Sequence, residues 1–531
     1  MVQGAQQSRL PTPVNPEQLE SWLTGYDVAL TSQIVTGFRT GFEVGYKGAL
    51  PPVQSVNLKS ALDQPAVVDK KLEKELELKR IAGPFPHPPF PSFRTSPLGL
   101  VAKKEPGKFR LIHHLSYPEG ASINDGIPAE KSHVTYQSID DAVAHMRELG
   151  RGCYLAKTDI ADAFRIIPLH PSQYHLFGFV WRERYFYDRC LPMGCSASCQ
   201  LFELISTALH WVAITKLQIQ HMAHVLDDFL ILEKDKANGK RKLDRFVTMC
   251  AEIGIPIAPE KTFPPSQVLT FLGYELDSQH MEIRLPLDKL TKCRHLIETC
   301  LKKQKIQLRD LQSIIGTLNF ACGAVVPGRP FLRRLINLTV GVNKPFHYIR
   351  ITAQVRDDLN TWLSFLSSHN GKSLLLPERW LLSPNISLFT DASGTLGYGA
   401  VLGPRWFYGR WNETWKGQSI TLLEFYPIAL AVQIWAEEFA NKCICFHTDN
   451  EALVEILNTQ TSKDVRIMHL LRGMVLTCLK GNILFRAKHI PGKSNILADA
   501  LSRLQEDKFK ELAPYAQPHP VEIPPLPNLP H

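Results

Sequence analysis

Two adjacent acids interrupt an apolar segment near the middle of the chain. Asp227 and Asp228 lie between His224-Val-Leu and Phe229-Leu-Ile-Leu, and these apolar flanks predict two strands with the acids at the turn. Asp159 also follows a strand-like run, Leu-Ala-Lys-Thr. An isolated pair of acids at a hairpin is most often a solvated turn. Buried carboxylates, however, are costly unless they are compensated, and a divalent cation is the usual partner.

Three carboxylates on neighbouring strands can bind two metal ions. If the strands that carry Asp159 and the Asp227–Asp228 pair lie side by side, they would hold two Mg²⁺ ions roughly 3.5–4 Å apart. In such a site one ion activates the attacking oxygen and the other stabilises the leaving group of an in-line phosphoryl transfer. The spacing therefore predicts a phosphoryl-transfer site.

A second set of acids occupies the last third of the chain. Asp391 and Asp449 each end a strand-like run, whereas Glu424 and Asp499 lie in the first turns of predicted helices. Any one of these acids would most often be a helix cap or a solvated chain end. Four acids, each at a strand end or a helix start, indicate a second carboxylate centre.

The elements that must position these acids form two dense blocks. The first, from Ser96 to about Leu276, reads as apolar strands and polar turns, and the second, from Asn385 to about Arg503, as alternating strands and helices. Residues 285–345 look helical and basic. The charged run 69–79 has the charge spacing of a solvated helix. The last 18 residues contain seven prolines, which predicts a disordered tail.

Composition restricts the class of protein. The 531 residues carry 60 Lys+Arg against 51 Asp+Glu, a net charge of +9 that permits a nucleic-acid partner without establishing one. No apolar run suits a transmembrane helix, and the first residues lack the order of a secretory signal. The 11 cysteines form no CxxC pair, which predicts reduced thiols in a cytoplasmic or nuclear protein that is not secreted. Cys443, Cys445 and His447 alternate on one strand, but without a fourth ligand they predict a packed strand rather than a metal site.

The first block resembles the reverse transcriptase family over about residues 90–276. Phe93–Ile112 resembles the fingers hairpin, Thr158–Phe164 the first catalytic motif and Leu191–Ser198 the template-positioning motif. Val225–Asp228 resembles the aromatic-x-Asp-Asp box. The lysine motif and the primer grip follow in the family's order, as Ala258–Lys261 and Phe271–Leu276.

The resemblance implies roles for individual residues. Asp159, Asp227 and Asp228 would be the metal carboxylates. Residues expected to contact the incoming nucleotide are Lys103, Arg110, Phe164, Gly194 and Lys261. Lys103 and Arg110 would bind the triphosphate, with Lys104 as the alternative to Lys103. Phe164 would exclude a ribose 2′-hydroxyl, and Gly194 would let the backbone approach the nucleotide. Lys261 would protonate the pyrophosphate or be a plain surface lysine, and Asp162 would serve the nucleotide pocket or act as a structural cap.

Three positions depart from the family pattern. Met193 lies where glutamine is common, His114 where an acid is common, and Val225 where an aromatic residue precedes Leu-Asp-Asp. None of them removes a metal ligand, so we expect altered template contacts or fidelity rather than lost chemistry.

The second block, about residues 385–505, resembles ribonuclease H. The resemblance implies that Asp391, Glu424, Asp449 and Asp499 converge on two Mg²⁺ ions, with Mn²⁺ as an alternative ion, to cleave the RNA strand of a hybrid. His489 would lie on a loop near this site and assist product release, or be a loop histidine without a role.

Several short segments resemble those of retrotransposons of the DIRS/Ngaro type, which carry a tyrosine recombinase. The resembling segments are Gly37–Tyr46, Ile81–Phe85, Leu115–Asn124 and Thr448–Asn450, whereas Ala498–Arg503 also resembles gypsy-type elements. Recombinase and capsid-like proteins of the same element are therefore further expected partners. A retroviral or hepadnaviral polymerase fragment is the alternative source.

The combined expectation is an α+β chain with a right-hand polymerase, a connection and an α/β ribonuclease H-like domain. The predicted segments are 1–80 (N-terminal extension), 81–284 (fingers and palm), 285–345 (thumb), 346–384 (connection), 385–506 (ribonuclease H) and 507–531 (disordered tail). Its partners would be RNA template, DNA primer, RNA/DNA hybrid and dNTPs, with no membrane. A basic cluster between Lys289 and Arg309 would grip primer–template phosphates. The alternative is an inactive, nucleic-acid-binding relic.

Overall fold

The chain divides into two compact units. The computed structural model describes residues 10–48, 55–103, 107–368, 372–373, 381–481, 483–489 and 495–529. The first unit extends to Leu272 and includes 277–279, and the second contains 273–276 and the chain from His280 onward. Within the described residues, no helix is long and apolar enough to span a bilayer. The finer boundaries expected from the sequence stay predictions.

The first unit contains seven α-helices and ten strands among its described residues. The helices are α1 Pro16–Trp22, α2 Val28–Thr40, α3 Lys59–Leu62, α4 Pro65–Glu77, α5 Ile139–Leu149, α6 Ser198–Thr215 and α7 Lys236–Ile253. The strands are β1 Ile81–Phe85, β2 Leu98–Ala102, β3 Phe109–His113, β4 Tyr154–Asp159, β5 Gly178–Trp181, β6 Arg184–Asp188, β7 Met222–Val225, β8 Asp228–Glu233, β9 Phe263–Ser266 and β10 Val268–Phe271.

The central sheet of this unit has the strand order β7-β8-β4-β9, and all its pairs are antiparallel. Phe229 to Leu232 of β8 are all buried, because helices α5 and α7 pack against this strand. The apolar stretch from Leu201 to Val225 forms most of α6 and then β7. The sheet therefore brings the ends of β4 and β8 together beneath a helical layer.

Residues at the N-terminal end complete the core of the first unit. Val14, Leu19 and Leu23 belong to its hydrophobic cluster, and the Asn15 amide donates to the Ile253 carbonyl at 2.7 Å. Asn15 also caps α1 through its side chain. The sequence left open whether this segment binds a partner or supports the fingers. The described part of it is built into the unit that carries the polymerase-like motifs.

Helix α4 differs from the solvated helix expected for residues 69–79. Val68 and Leu72 are buried in a small core with strands β1, β2, β5 and β6. Glu75 accepts a 2.7 Å ion pair from Arg165. The predicted helix is present, but it is not fully solvated. The apolar residues between the charged ones form a buried face.

The second unit contains ten α-helices and eleven strands among its described residues, with β11 at its boundary. The helices are α8 Leu287–Leu301, α9 Leu308–Ala321, α10 Arg333–Asn337, α11 Ala353–Ser368, α12 Ile420–Ile434, α13 Ala436–Phe439, α14 Glu451–Thr459, α15 Val465–Lys480, α16 Ile496–Ser502 and α17 Glu506–Leu512. The strands are β11 Tyr274–Asp277, β12 Glu282–Arg284, β13 Lys305–Gln307, β14 Tyr348–Arg350, β15 Lys372–Ser373, β16 Leu381–Leu382, β17 Leu388–Ala392, β18 Gly397–Leu402, β19 Arg405–Arg410, β20 Cys443–Thr448 and β21 Leu484–His489.

Two three-stranded sheets organise the C-terminal part of this unit. Strands β17, β18 and β19 form an antiparallel meander, and β16, β20 and β21 form a parallel sheet. Helix α12 is apolar around its circumference, because it packs against β17, β18, α14 and α15. Cys443 and Cys445 are buried on β20, as expected for a packed strand.

The basic cluster between Lys289 and Arg309 is used in two ways. The Lys289 ammonium lies 3.8 Å from the centre of the Phe320 ring, and Arg294 donates to the Leu366 carbonyl at 3.0 Å. These two cations therefore serve the packing of the unit. The exposed members of the cluster are Lys292, Lys302, Lys303, Lys305 and Arg309.

The predicted disordered tail is wrong for the residues that the structure describes. Glu506–Leu512 is a helix, and the segment after it packs along the second unit. The Trp406 indole donates to the Gln517 carbonyl at 2.8 Å, and the Trp415 indole donates to the Pro527 carbonyl at 3.1 Å. The prolines after Leu512 exclude a helix but allow an extended chain. The apolar residues between these prolines hold that chain against the core.

We expect this packing to stabilise the second unit measurably. Replacing Ile523, Leu526 and Leu529 with alanine should lower the free energy of unfolding by about 2–3 kcal/mol, because their partly buried side chains cover the core. Urea unfolding followed by tryptophan fluorescence would measure it. The control replaces the exposed Glu522, Pro525 and Asn528 with alanine. Equal stability of the two triple variants would contradict the assignment.

Candidate active sites

The first carboxylate set lies at the turn between β7 and β8. Asp159, the last residue of β4, is the direct cross-strand partner of Asp228, the first residue of β8. Leu226 has a left-handed φ of 53° and forms a tight turn with Asp227. The Ile160 amide donates to the Asp227 carbonyl at 2.9 Å. Strand register therefore places the three predicted acids at one edge of the sheet.

Helix α6 holds this turn from below. Its Glu203 carboxylate accepts a hydrogen bond from the Leu226 amide at 3.0 Å, and the Ser206 hydroxyl donates to the Leu226 carbonyl at 2.8 Å. The His224 imidazole lies 3.1 Å from the other Glu203 oxygen and contacts His210 at 2.6 Å. Sequence reasoning missed this support. Its only signal is an acid within an otherwise apolar helical stretch.

The three acids are crowded and only partly neutralised. Burial and the neighbouring Asp159 raise the pKa of Asp227 to about 6. Burial also raises the pKa of Asp228, although Lys157 lies 2.9 Å from one of its oxygens. Lys261 forms a 2.8 Å ion pair with Asp159. The predicted leaving-group lysine thus contacts a carboxylate of the same cluster.

The residues present fit a hard divalent cation. Asp228 Oδ1 is buried and has no hydrogen-bond partner among the described residues. The raised pKa of Asp227 comes from burial and the neighbouring Asp159, which the charge of Lys261 offsets only in part. Carboxylate oxygens are the ligands that Mg²⁺ and Mn²⁺ prefer. Asp159, Asp227 and Asp228 are therefore the residues that would hold such an ion.

A cleft of about 350 Å³ opens beside these carboxylates. Asp159, Asp227 and Lys261 line it, and so do the exposed Lys103 and Arg110 of the β2–β3 hairpin. The cleft thus combines clustered acids with cations that can bind phosphate oxygens. Lys104, the alternative to Lys103, lies outside the described residues.

Two predicted nucleotide residues are placed differently from the rest. Neither Phe164 nor Gly194 lines this cleft. The half-buried Phe164 ring packs edge-on against Phe202, with ring centres 5.9 Å apart. Gly194 has a φ of 124°, and a Cβ there would lie 2.1 Å from the His113 carbonyl oxygen. Glycine at 194 is thus required by this intramolecular contact, and its predicted role in close approach to a nucleotide stays a prediction.

Asp162 lines the cleft and belongs to an ionic network, and its side chain makes no helix-capping hydrogen bond. It adopts a left-handed φ of 52° and pairs with Arg80 at 2.9 Å. Burial alone would raise the pKa of Asp162, but the Arg80 hydrogen bond and charge lower it. Arg165 joins the same network by pairing with Asp188 at 2.7 Å, and His113 contacts the other oxygen of Asp188 at 2.8 Å.

Helix α4 contributes two lysines that sequence reasoning missed. Lys71 and Lys74 line the cleft on the side of Lys103. Burial, together with the charges of Lys103 and Lys74, lowers the pKa of Lys71. Three ammonium groups therefore converge on one cleft and repel each other. Their helical spacing was visible in the sequence, but the cleft that they face was not.

The second carboxylate set also converges. Asp391 lies in β17, Glu424 in α12, Asp499 in α16, and Asp449 follows β20 directly. Helix α16 packs against β17 and β18 and so carries Asp499 towards Asp391. Ser502 of the same helix donates to the Asp391 carboxylate at 2.5 Å. The fold brings together all four predicted acids.

Charge crowding is strongest at Glu424. Burial and the nearby Asp449 and Asp391 raise the pKa of Glu424 to about 7. Burial raises the pKa of Asp391 as well, with contributions from Asp499 and Asp449. The Thr448 hydroxyl donates to Glu424 at 3.3 Å but supplies no charge. This set too fits an oxygen-preferring divalent cation.

His489 is the last residue of β21 and is exposed. It is the cross-strand partner of Thr448, next to Asp449. The residues that follow it, 490–494, lie outside the described part of the chain. Its predicted role in product release therefore stays a prediction.

Crowding at Asp227 predicts a stability effect with a definite pH window. The folded-state pKa of about 6 exceeds the unfolded value of about 3.9, so wild-type stability falls as pH rises from about 4 to about 6. Asp227→Asn removes this penalty and should be more stable than wild type by about 1–2 kcal/mol at pH 7 without divalent ions. The difference should vanish at pH 4. Urea unfolding in a chelator tests this, and a variant that is less stable than wild type at pH 7 would refute it.

Comparison with known proteins agrees with the first site. Residues 101–276 match the family model described as reverse transcriptase (RNA-dependent DNA polymerase). The Gag-Pro-Pol polyprotein of Mason-Pfizer monkey virus is 28% identical over 257 residues, covering 46% of this chain. Protein P of duck hepatitis B virus (strain China) is 29% identical over 248 residues, covering 45%. The matched part spans only 12% of the first relative and 29% of the second.

Solved structures extend the likeness in fold to most of the chain. The foamy viral protease-reverse transcriptase in complex with double-stranded DNA has a TM-score of 0.52 at 16% identity, covering 92% of this chain and 84% of that one. The same enzyme with an RNA/DNA hybrid has a TM-score of 0.51 at 14% identity, covering 90% of this chain and 63% of that one.

These likenesses confirm the expected fold class. The mixed helices and sheets are those of a right-hand polymerase followed by a ribonuclease H-like domain. The family match contains all three acids, Asp159, Asp227 and Asp228, and many of the residues that line the cleft. Residues 101–276 therefore form a reverse transcriptase domain like those of retroviral and hepadnaviral polyproteins.

Proposed function

We propose that this protein is an RNA-directed DNA polymerase that also carries ribonuclease H activity. The observation that supports it best is the cleft that Asp159 and Asp227 line together with Lys103 and Arg110. Clustered acids that share a cleft with phosphate-binding cations suit in-line phosphoryl transfer, the reaction class of nucleotide addition. The reverse transcriptase domain supplies the class of reaction.

In the proposed reaction, the acidic residues of the cleft would bind metal ions and the basic residues would bind phosphate. Two Mg²⁺ ions, or Mn²⁺, would supply activation of the attacking oxygen and charge stabilisation at the phosphorus. Asp159, Asp227 and Asp228 would hold them, and Lys261 neutralises Asp159. Lys103 and Arg110 would bind the triphosphate oxygens of the dNTP. Phe164 keeps its proposed part in excluding ribonucleotides.

The nucleic-acid partners are proposed from charge and from the neighbours' ligands. Foamy viral structures of similar fold hold double-stranded DNA and an RNA/DNA hybrid. The exposed cations of the basic cluster, from Lys292 to Arg309, would bind primer–template phosphates. Such contacts join cations to phosphates, so affinity should fall as the salt concentration rises. They read backbone shape rather than base sequence.

Ribonuclease H activity would reside in the second carboxylate set. Asp391, Glu424, Asp449 and Asp499 would hold two Mg²⁺ ions, which would supply activation of a water molecule as the nucleophile. The raised pKa of Glu424 supports a cation there, because a bound cation would restore its ionised form. The RNA strand of the copied hybrid would be the substrate.

The biological source is also a proposal. The segments around Gly37–Tyr46 and Leu115–Asn124 favour a DIRS/Ngaro retrotransposon whose partners include a recombinase and capsid-like proteins. Part of the first segment has a structural reason: a Cβ at Gly37 would lie 2.3 Å from the Phe42 ring, and one at Gly41 would lie 2.4 Å from His170 Cα. None of the 11 cysteines, all of which lie in the described part of the chain, forms a disulfide, which favours the cytoplasm or nucleus.

Primer extension tests the proposal directly. Wild type should extend a DNA primer on an RNA template with Mg²⁺ and dNTPs, and should cut the RNA of a hybrid. Asp227→Asn should abolish extension and leave cutting intact, whereas Asp449→Asn should do the reverse, because each removes a ligand from one centre only. Wild type that binds hybrid but performs neither reaction would support the inactive relic instead.

Lys71 should contribute to nucleotide binding. Lys71→Gln removes one of the converging ammonium groups and should raise the KM for dNTP about tenfold with little change in kcat. Lys70→Gln, its exposed neighbour on α4, is the matched control. Steady-state kinetics at fixed primer–template measure the effect. Equal KM values for the two variants would remove Lys71 from the site.

A further inference from the structure

One side-chain cluster of the first unit lies outside both carboxylate centres. His145 and Glu148 occupy successive turns on one face of α5, and His221 immediately precedes β7. Within the described part of the chain, this is the group of three histidine, cysteine or acidic side chains whose ligand atoms all lie within 4.8 Å of one another. The individual separations are 3.4 Å between the Nδ1 atoms of His145 and His221, and 3.7 Å from His221 Nδ1 to Glu148.

The hydrogen bond of His145 fixes which of its nitrogens is free. Its Nε2 lies 3.1 Å from the Met222 carbonyl oxygen, which can only accept, so Nε2 carries the proton. The Nδ1 atom then has a lone pair, and that lone pair points at His221. Metal-binding histidines commonly donate their second N–H to a backbone carbonyl in this way.

The surroundings of His145 favour its neutral imidazole. Burial and the neighbouring His221 lower the pKa of His145, so it presents a lone pair at neutral pH. His210, which is turned towards His224, has its own pKa lowered to about 4 by burial and by nearby imidazoles that include His145. Glu148 supplies the negative charge that a divalent cation would balance.

We propose that His145 Nδ1, His221 Nδ1 and the Glu148 carboxylate form a binding site for a zinc-class divalent cation. Two imidazoles and one carboxylate are a known donor set for tetrahedral Zn²⁺ with a water in the fourth position. Imidazole donors select Zn²⁺, Co²⁺ or Ni²⁺ over Mg²⁺, which prefers oxygen. The site is therefore chemically distinct from the two carboxylate centres.

The position of the site suggests what the cation does. It joins helix α5 to the residue before β7, and β7 leads directly into the turn that carries Asp227. A bound cation would fasten a helix to the strand that supports the catalytic turn. This role is structural and holds whether or not the proposed polymerase reaction occurs.

Metal titration of the full chain tests the site. The protein is stripped with a chelator, and Co²⁺ or Zn²⁺ is then added in the presence of millimolar Mg²⁺, which occupies the oxygen centres. Wild type should bind one equivalent of Zn²⁺, and Co²⁺ should give a visible d–d spectrum. His145→Gln and His221→Gln should weaken Zn²⁺ binding at least about 100-fold, more than is typical for the loss of an outer partner.

The exposed His133 provides the matched control. His133→Gln should bind Zn²⁺ as wild type does, and Glu148→Gln should show an intermediate loss. If the histidine variants fail to fold by circular dichroism, X-ray absorption of Zn²⁺-loaded wild type decides, and it should report two imidazole ligands. No bound equivalent, equal binding by His221→Gln and wild type, or a zinc shell without imidazole would reduce the cluster to a hydrogen-bonded histidine pair.

Discussion

The pairing of β4 with β8 is the constraint on which the first unit depends. A register shift by one residue would move Asp159 away from Asp228 and turn the buried side chains of β8 to the opposite faces. The apolar residues Phe229 to Leu232 oppose this shift, because each of these side chains is buried and close-packed in the core. The carboxylates are thus held together by hydrophobic packing that does not involve them. Repulsion between them is tolerated because the surrounding core is large.

The same physical arrangement occurs a second time with different elements. In the second unit, Asp391 is carried by a meander strand and Asp449 by the end of a parallel strand, so no single strand pair sets their spacing. Helices α12 and α16 supply the other two acids, and their apolar contacts fix the geometry. In both places burial and neighbouring acids raise a carboxyl pKa, that of Asp227 in the first cluster and that of Glu424 in the second.

The sequence was informative where chemistry and local pattern coincide. Asp227 and Asp228 stand out because apolar residues flank them on both sides, and the later acids each end or begin a regular element. Interactions between distant residues had no comparable signal. Glu203 supports a turn 23 residues away, and His145 meets His221 across 76 residues. A single sequence contains nothing that relates such positions.

Local composition also misled in identifiable ways. The charged run of α4 hides the apolar positions Val68 and Leu72, whose burial turns Lys71 towards the cleft. Prolines at the C-terminal end exclude a helix but do not exclude packing against the core. The two tryptophans that donate hydrogen bonds to this segment lie more than 100 residues earlier in the chain. The residues around Gly194 likewise contain no sign that the His113 carbonyl occupies the space that a Cβ at this position would need.

The hydrogen bond between Asn15 and Ile253 has a consequence for how the protein is made. It joins two parts of the first unit that are synthesised far apart in time, because Asn15 is translated early and Ile253 late. Helix α1 must wait without its partner α7 until nearly half of the chain has been translated, and its apolar residues stay exposed during that time. Contacts of such long sequence separation fold late and slowly. Premature termination before residue 253 would therefore release a chain that cannot complete its core, and such a chain is a substrate for chaperones rather than a partial enzyme.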